Sequence, residues 1–126
     1  MPCPFCDIEG RPIVAQSDLA LALRDAYPAS PGHTLIVPRR HVADWWSATT
    51  FERAAMLSLV DEVKSALDAE LCPDGYNLGF NDRPAAGQTV FHLHLHLIPR
   101  FAGDVDDPTG GVRHAVVGKG NYRRMG

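Results

Sequence analysis

Three histidines alternate with leucines in residues 91–99, which read Phe-His-Leu-His-Leu-His-Leu-Ile-Pro. Because a period of two is typical of a β-strand, the pattern predicts that His92, His94 and His96 share one face while the leucines face a core. A purification tag would be terminal and lack the leucines, and an ordinary core strand would be apolar on both faces. Imidazole changes charge near neutral pH, binds metals and attacks phosphorus, so the histidine face indicates a functional site.

The composition is that of a globular protein. The 126 residues suit a single domain, residues 1–126, with 45% hydrophobic and 21% charged residues. A net charge of −3 argues against a nucleic-acid polymer as partner but is compatible with a small anionic ligand. No run approaches the ~20 apolar residues of a membrane span, and the N-terminus lacks the order of a signal peptide. We therefore expect a cytoplasmic protein that does not contact a membrane.

The three cysteines favour a reducing environment, since an odd number does not suit a disulfide framework. Cys3 and Cys6 form a Cys-Pro-Phe-Cys pair, which is typical of a redox dithiol or of half a zinc site. A redox pair usually follows a strand and opens a helix, whereas only Met1 and Pro2 precede this one. Zinc is therefore favoured if two further ligands exist. Cys72, at the end of a predicted helix, is interpreted as packing.

Periodicity predicts an α+β fold with a five-stranded antiparallel sheet, one long helix and a short helix. Thr49 and Glu52 have the spacing of a capping box, and Pro73 ends the helix that follows. Its apolar stripe consists of Met56, Val60, Val63, Leu67 and Leu71. Strands are predicted at residues 13–15, 19–23, 33–37, 76–80 and about 88–98. Because they succeed one another like hairpins and not as βαβ units, the sheet is expected to be antiparallel with the helix on one face.

Turn-forming residues mark the connections. Residues 25–32 and 81–87 contain Pro and Gly and are predicted to be loops. Residues 102–126 are predicted to form a C-terminal loop and tail, with a mobile loop at 102–111 and a last short strand at 112–117. The tail's polar residues would contact the distal part of a substrate or are merely solvated, and solvation is the favoured interpretation; they are Arg113, His114, Lys119 and Tyr122.

The histidine segment resembles the signature of the histidine triad family, in which three histidines alternate with hydrophobic residues. Other parts of the chain resemble that family's landmarks in the same order: the Cys-x-x-Cys opening, Pro-Gly-His-Thr-Leu-Ile-Val-Pro at 31–38, Asn81, and Ala-Gly-Gln-Thr-Val at 86–90. The resemblance covers residues 3–100. Such a combination is far more specific than the triad alone.

The resemblance implies a nucleotide-binding hydrolase or transferase that acts at an α-phosphate. His94 would attack phosphorus to form a nucleotidyl-histidine intermediate, which water then hydrolyses. A hydrogen bond from its other nitrogen to a backbone carbonyl would aim the attacking lone pair at the substrate. His96 would contact the phosphate or its leaving group, where a proton donor helps. The related uridylyltransferase branch has glutamine at this third position, so His96 favours hydrolysis over transfer.

The same resemblance implies the phosphate contacts. Gln88 and Thr89, with the backbone N–H groups after Gly87, would hold the non-bridging oxygens as charge builds on them. Gly87 would permit the close backbone approach that this needs. Asn81 would lie beside the phosphates.

The nucleoside contacts implied by the resemblance lie earlier in the chain. Asp25 would accept hydrogen bonds from the ribose hydroxyls, because a carboxylate can bind both members of a vicinal diol. Leu23 and Ile8 would form apolar walls around the base, or are plain core packing. His33 would orient the triad, or is a strand-terminal histidine whose hydrogen bonds are satisfied.

Family members with an N-terminal Cys-x-x-Cys pair imply a structural zinc site. Here its ligands would be Cys3, Cys6, His41 and His92, a closed tetrahedral shell without a position for water. The metal would brace the fold and would not activate the nucleophile. Magnesium is a second candidate cofactor, carried with the substrate.

The function expected from these features is hydrolysis of a nucleoside phosphoramidate or a dinucleoside polyphosphate, with release of a nucleoside monophosphate. A purine nucleotide is the expected substrate. The alternatives are a zinc-stabilised nucleotide-binding or sensing module with incidental turnover, and a nucleotidyltransferase. A homodimer that pairs through strands and the long helix is expected from the family, although the apolar stripe serves equally as core.

Overall fold

The computed structural model describes residues 3–124. Its strands are β1 (Ile13–Gln16), β2 (Ala20–Arg24), β3 (Thr34–Pro38), β4 (Gly75–Gly79) and β5 (Leu95–Arg100), and its long helix is α1 (Thr50–Leu71). Four short 3₁₀ helices lie at Trp45–Ser47, Pro84–Ala86, Gly111–Ala115 and Tyr122–Arg124. Within residues 3–124, no helix has the length and apolar character needed to cross a bilayer.

The strands form one sheet in the order β1-β2-β3-β5-β4, and every neighbouring pair is antiparallel. The predicted α+β fold, a five-stranded antiparallel sheet with one main helix, is therefore confirmed. In the register of β5, His96 lies opposite Leu35 of β3 and opposite Gly79 of β4. The third triad histidine thus lies on an inner strand of the sheet, between the bulky side chain of Leu35 and Gly79, which has no side chain.

Helix α1 begins with the predicted capping box. The Thr49 hydroxyl accepts a hydrogen bond from the Glu52 N–H at 3.0 Å, and the Glu52 carboxylate accepts one from the Thr49 N–H at 2.9 Å. Arg40 binds the same buried carboxylate in bidentate fashion, at 2.7 and 3.1 Å. These contacts, with Arg40 as the link, attach the helix start to the chain segment that carries His41.

The two faces of the sheet have different covers, because successive side chains of a strand point to opposite sides. Helix α1 covers the first face, over a cluster that includes Ala20, Ala22, Ile36, Leu95 and Leu97. The second face carries Leu21, Leu23, Leu35 and Val37, covered by Phe5 and Ile8. Since the N-terminal segment covers only this part of the second face, the part formed by β5 and β4 is left for a site.

Strand β5 is shorter than the predicted strand, because its ladder begins at Leu95 and not near residue 88. Pro38, the last residue of β3, lacks an N–H group and cannot continue the pairing. Leu93 instead donates its N–H to the carbonyl of Val42 at 2.7 Å. Even so, Leu93, Leu95 and Leu97 are all buried in the core cluster under α1, so the predicted alternation of environments is present.

The predicted strand at 112–117 is wrong, because the segment Gly111–Ala115 is a 3₁₀ helix. Gly110 and Gly111 have left-handed backbones with φ of 95° and 48°, which an extended strand does not allow. The tail folds back on itself: the Arg113 guanidinium donates to the carbonyls of Lys119 and Gly120 at 3.1 and 3.2 Å. The imidazole of His114 bonds the carbonyl of Thr109 at 2.8 Å. These two side chains are therefore structural contacts of the tail and not merely solvated.

Candidate active site and metal centre

The second and third triad histidines lie on the second face of the sheet, between the N-terminal segment and the tail. The ring of His94 is 5.0 Å from that of Phe5 and 5.1 Å from that of His96, measured between centroids. His96 lines a cavity of about 500 Å³, whose wall also includes Asn81 and Val112 of the tail. The two imidazoles are therefore neighbours, and His96 lies beside a space that can hold a small molecule.

The orientation of His94 follows from one hydrogen bond. Its Nδ1 lies 2.8 Å from the carbonyl oxygen of His92. Because a carbonyl only accepts, Nδ1 carries the proton of the neutral ring, and the lone pair is on Nε2. The carbonyl partner expected from the sequence is thus present, and Nε2 is the nitrogen able to attack.

His96 receives its orientation from His33. The N–H of Ala29 donates to Nδ1 of His33 at 3.0 Å, so the proton of the neutral His33 ring is on Nε2. That Nε2 donates to Nδ1 of His96 at 3.0 Å, which leaves the His96 proton on Nε2. Burial, and then the neighbouring imidazoles of His94 and His33, lowers the pKa of His96 to about 4. Burial also lowers the pKa of His33, against the opposing charge of Asp25.

Asp25 completes this chain of contacts. Its Oδ2 lies 3.4 Å from Nε2 of His33, and its Oδ1 accepts from the N–H of Tyr27 at 2.9 Å. The donor atoms of Asp25, His33 and His96 lie within 4.8 Å of one another, a spacing that could hold a metal ion. A metal at Nε2 of His33 would require the proton to move to Nδ1, where the Ala29 N–H already points. The cluster is therefore a hydrogen-bond relay.

Cys3, Cys6, His41 and His92 form a second cluster whose geometry suits a metal. Nδ1 of His92 lies 3.4 and 3.5 Å from the sulfurs of Cys3 and Cys6 and 3.2 Å from Nδ1 of His41. The Cys6 sulfur lies 3.2 Å from Nδ1 of His41. Zinc bonds of ~2.1 Å to nitrogen and ~2.3 Å to sulfur give a tetrahedron with edges of about 3.4 to 3.8 Å. The four side chains are thus close to the positions that a zinc ion needs.

The surroundings of His92 also fit a metal ligand. Its Nε2 donates to the carbonyl of Pro38 at 2.8 Å, so the Nδ1 lone pair points into the cluster. Burial lowers the pKa of His92 and favours the neutral ring that metals bind. Desolvation, and then the neighbouring Cys3, raises the pKa of the Cys6 thiol, a penalty that a bound cation offsets by favouring the thiolate.

Comparison with known proteins agrees with this arrangement. The family model of the HIT domain matches residues 10–103. The chain belongs to the HIT domain family. The match spans all five strands, the helix and the three histidines, whereas Cys3, Cys6 and Ile8 precede it and Val112 follows it.

Individual relatives extend the comparison. A HIT-like protein of Mycoplasma genitalium is 37% identical over 103 residues, which cover 79% of this chain and 73% of the relative. A solved structure of a zinc-bound histidine triad family protein from Mycobacterium smegmatis is 34% identical, with a TM-score of 0.75 and coverage of 81% of this chain and 77% of that one. An AP-4-A phosphorylase of Mycobacterium tuberculosis is 33% identical over 95 residues, covering 75% of this chain. The HIT domain described here spans 49% of that enzyme's length.

The loop before the histidines in this HIT domain is held by Gln88. Its side-chain amide is buried, donates to the carbonyls of Ala43 and Val90 at 2.8 and 3.1 Å, and accepts from the N–H of Arg83 at 2.7 Å. These contacts occupy the amide that the sequence analysis assigned to phosphate, so Gln88 shapes the loop instead. Thr89 next to it is exposed and available.

The predicted nucleoside residues occupy two kinds of position. Leu23 is fully buried in the cluster on the second face, where it packs with core residues. Ile8 packs against the same cluster but is only half-buried, so part of its apolar surface stays accessible. Gly87 has φ of 97° and ends the short helix before the histidine segment, with no atom within 4 Å of where a Cβ would stand.

Two features of the site were not found from sequence. The Ala29 N–H that sets the His33 tautomer has no side-chain signal, because any residue other than proline supplies a backbone donor. The aromatic group around Phe80 joins residues 35 positions apart, Trp45 and Phe80, which only the folded sheet and helix bring together. The adjacent Trp45 and Trp46 were the one hint in the sequence.

Proposed function

We propose that this HIT-family protein is a nucleotide hydrolase that cleaves at the α-phosphate of a nucleoside phosphoramidate or a dinucleoside polyphosphate. The observation that carries the proposal is the pairing of two imidazoles whose ring nitrogens have opposite hydrogen-bonding roles. His94 presents a bare Nε2 because its Nδ1 is bonded to a carbonyl, and His96 presents Nε2–H because its Nδ1 accepts from His33. A nucleophile and a hydrogen-bond donor thus stand side by side.

The reaction proceeds in two steps. In the first, Nε2 of His94 forms a bond to the α-phosphorus, and the bond from phosphorus to the leaving group breaks with its electron pair. The Nε2–H of neutral His96 donates a hydrogen bond to the departing group, and that group takes its proton from solvent. In the second step water attacks the nucleotidyl-histidine, which releases a nucleoside monophosphate and restores His94.

Binding of the nucleotide is assigned to the rim of the site. The hydroxyl of Thr89, the backbone near Gly87, and Asn81 would contact the phosphate oxygens. Asp25, whose second oxygen is fixed by the Tyr27 N–H, would accept from the ribose hydroxyls. Ile8 offers apolar surface for the purine, with Leu23 behind it.

The Cys3–Cys6–His41–His92 cluster is proposed to hold one structural zinc ion. With four protein ligands the coordination shell is closed, so the ion would brace the N-terminal segment against the triad and would supply no catalytic water. The zinc-bound relative from Mycobacterium smegmatis supports the choice of metal. Any magnesium would enter with a polyphosphate substrate.

The homodimer and the cytoplasmic location stay predictions. Strand β4 is an edge of the sheet, with Leu78 43% exposed, and edge strands readily pair with a second chain. Sedimentation of the purified protein would determine the oligomeric state.

The proposed function is tested with adenosine 5′-phosphoramidate and diadenosine tetraphosphate, by measuring AMP release. Substituting the nucleophile, His94→Ala, is expected to lower kcat by at least about 10³-fold, while circular dichroism shows an unchanged fold. Turnover that survives this substitution would refute the assigned nucleophile. Saturable AMP binding without hydrolysis of any substrate would instead support the sensing module.

A further inference from the structure

A shallow depression lies between the start of α1 and the turn that joins β1 to β2. Its volume is about 440 Å³, and its wall consists of Leu19, Arg39, Arg40, Thr49, Phe51 and Glu52. None of these residues lines the cavity beside His96. The depression, named here after Phe51, is therefore a surface apart from the candidate active site.

Two apolar side chains of the Phe51 depression are open to solvent. Phe51, the second residue of α1, is 79% exposed, and Leu19 is 40% exposed. Within the part of the chain that the structure describes, neither belongs to or packs against either core cluster. Covering a leucine and a phenylalanine removes apolar surface from water, so these two side chains favour a bound apolar group.

Arg39 supplies a fixed positive charge beside them. Its Nε donates to the carbonyl of Ser17 at 2.8 Å, its Nη2 donates to the side-chain oxygen of Gln16 at 2.8 Å, and its backbone N–H donates to the carbonyl of Leu19 at 2.9 Å. These contacts leave Nη1 and the second hydrogen of Nη2 available. That edge of a guanidinium is one that binds both oxygens of a carboxylate.

The neighbouring charges do not cancel that of Arg39. Its acceptors are all uncharged, and among residues 3–124 no carboxylate forms an ion pair with it, including Asp18 of the same turn. Arg40 is neutralised by the bidentate carboxylate of Glu52. The Phe51 depression thus combines apolar surface with one uncompensated, preorganised cation.

This combination favours an acidic peptide as the ligand. Small-molecule pockets usually enclose most of the ligand, whereas the Phe51 wall is itself mostly exposed. A membrane surface or a nucleic acid is bound by a cluster of basic residues, whereas here one arginine lacks an acidic partner in a chain of net charge −3. An apolar side chain next to a carboxylate, both on a short segment, matches the apolar surface and the charge together.

We propose that the Phe51 depression docks a short acidic segment of a partner protein. An apolar anchor of the segment lies between Leu19 and Phe51, and a neighbouring carboxylate binds the open edge of Arg39. For an isolated peptide we expect a Kd of about 0.1 to 1 mM, as befits a small and exposed contact. No residue of the depression is assigned to catalysis or nucleotide binding, so the docking surface and the proposed function stand or fall separately.

The test is a titration of the isotope-labelled protein with three blocked peptides, followed by NMR. The first is acetyl-Gly-Asp-Leu-Phe-Asp-Gly-amide; the second has Lys in place of both Asp, and the third has Ser in place of Leu and Phe. Only the first should bind. It should shift the backbone signals of Leu19 and Phe51 and the Nε–H signal of Arg39.

Variants assign the binding to the two features. Phe51→Ala should weaken binding of the first peptide by about 5- to 10-fold, and Arg39→Gln by about 3- to 10-fold. The matched control is Arg123→Gln, which removes the same charge from an exposed arginine outside the depression and should leave the Kd unchanged. Because Phe51 is exposed, its variant remains a valid test if Arg39→Gln proves unstable.

Equal affinities for the acidic and the lysine peptide would overturn the proposal, as would an unchanged Kd in Phe51→Ala. Shifts of the Leu19 and Phe51 signals that grow with protein concentration, without peptide binding, would assign the depression to a second copy of the chain. Binding to phosphatidylserine vesicles that Arg39→Gln abolishes, again without peptide binding, would assign it to a membrane. Either result also overturns the assignment to an acidic peptide.

Discussion

Nε2 of His33 donates to Nδ1 of His96 across 3.0 Å, and the Ala29 N–H holds the far nitrogen of His33 as the acceptor. The backbone-anchored ring of His33 therefore determines which nitrogen of His96 carries the proton. His33 is a positioning residue that acts through His96.

Removing the His33 ring is expected to affect the reaction more than binding. In His33→Ala, nothing fixes the His96 tautomer, so kcat should fall about 10- to 100-fold while KM changes little. His33→Gln retains an N–H donor and should recover part of the loss. Steady-state kinetics on the phosphoramidate checks both. A pure rise in KM would show that His33 serves binding only.

Acid should destabilise the protein through His96. Its folded-state pKa, about 4, lies below the ordinary value of 6.5, so the unfolded chain binds more protons between these limits. The stabilising contribution is complete above pH 6.5 and is lost as the pH falls toward 4. Allowing for solvent screening of the partly exposed ring, it amounts to about 2 kcal/mol or less.

Thermal melts between pH 7.5 and 4.5 measure this dependence. His96→Asn, which does not titrate in this range, should show a shallower fall of Tm than the wild type. Identical slopes for the two proteins would mean that other groups account for the acid lability.

Zinc content is expected to depend on the paired cysteines. Protein purified without chelator should contain about one zinc per chain, and Cys6→Ser should reduce this below about a tenth and lower Tm. Cys72→Ser is the matched control, because Cys72 is exposed at the end of α1 and outside the cluster. Metal analysis by mass spectrometry gives the answer. Full zinc occupancy in Cys6→Ser would eliminate the proposed ligand set.

Glu52 is expected to contribute more to the free energy of unfolding than an acidic residue on the exposed side of the same helix. Glu52→Ala removes the carboxylate that accepts from the Thr49 N–H and binds Arg40, so we expect a loss of about 2 kcal/mol in the free energy of unfolding. Glu62→Ala, on the exposed side of the same helix, should cost less than about 0.5 kcal/mol. Urea denaturation of both variants provides the comparison. Equal midpoints would show that the buried carboxylate contributes nothing special.

Local patterns predicted the elements whose signals lie within one segment. The capping box at Thr49 and the alternation of leucines under α1 both depend on neighbouring residues, and both are present. The start of β5 depends instead on its partner strand β3. That strand ends at Pro38, whose nitrogen carries no hydrogen for a further ladder bond. The predicted strand in the tail failed because its β-branched residues follow two glycines with left-handed backbones.

Residue types predicted the candidate site better than residue contacts. Histidine and cysteine side chains are reactive and bind metals, so spaced groups of them indicate a functional site. The members of the triad site and of the Cys/His cluster could therefore be named from the sequence. The three backbone hydrogen bonds of the Gln88 side chain could not be predicted, because their partners come from separate parts of the chain. The sequence likewise did not indicate that burial would lower the pKa of His96, because the degree of burial depends on how the folded chain packs around the ring.

One residue, His92, belongs to both centres. Its ring faces the thiols, and its own carbonyl accepts a hydrogen bond from the Nδ1–H of His94. Modification of the thiols, by oxidants or by competing heavy metals, would remove the contacts that hold the His92 ring and so the position of its backbone carbonyl. Such damage would shift the imidazole proposed as nucleophile while leaving every residue assigned to nucleotide binding unchanged, so the state of the N-terminal cysteines would affect the proposed reaction from outside the binding site.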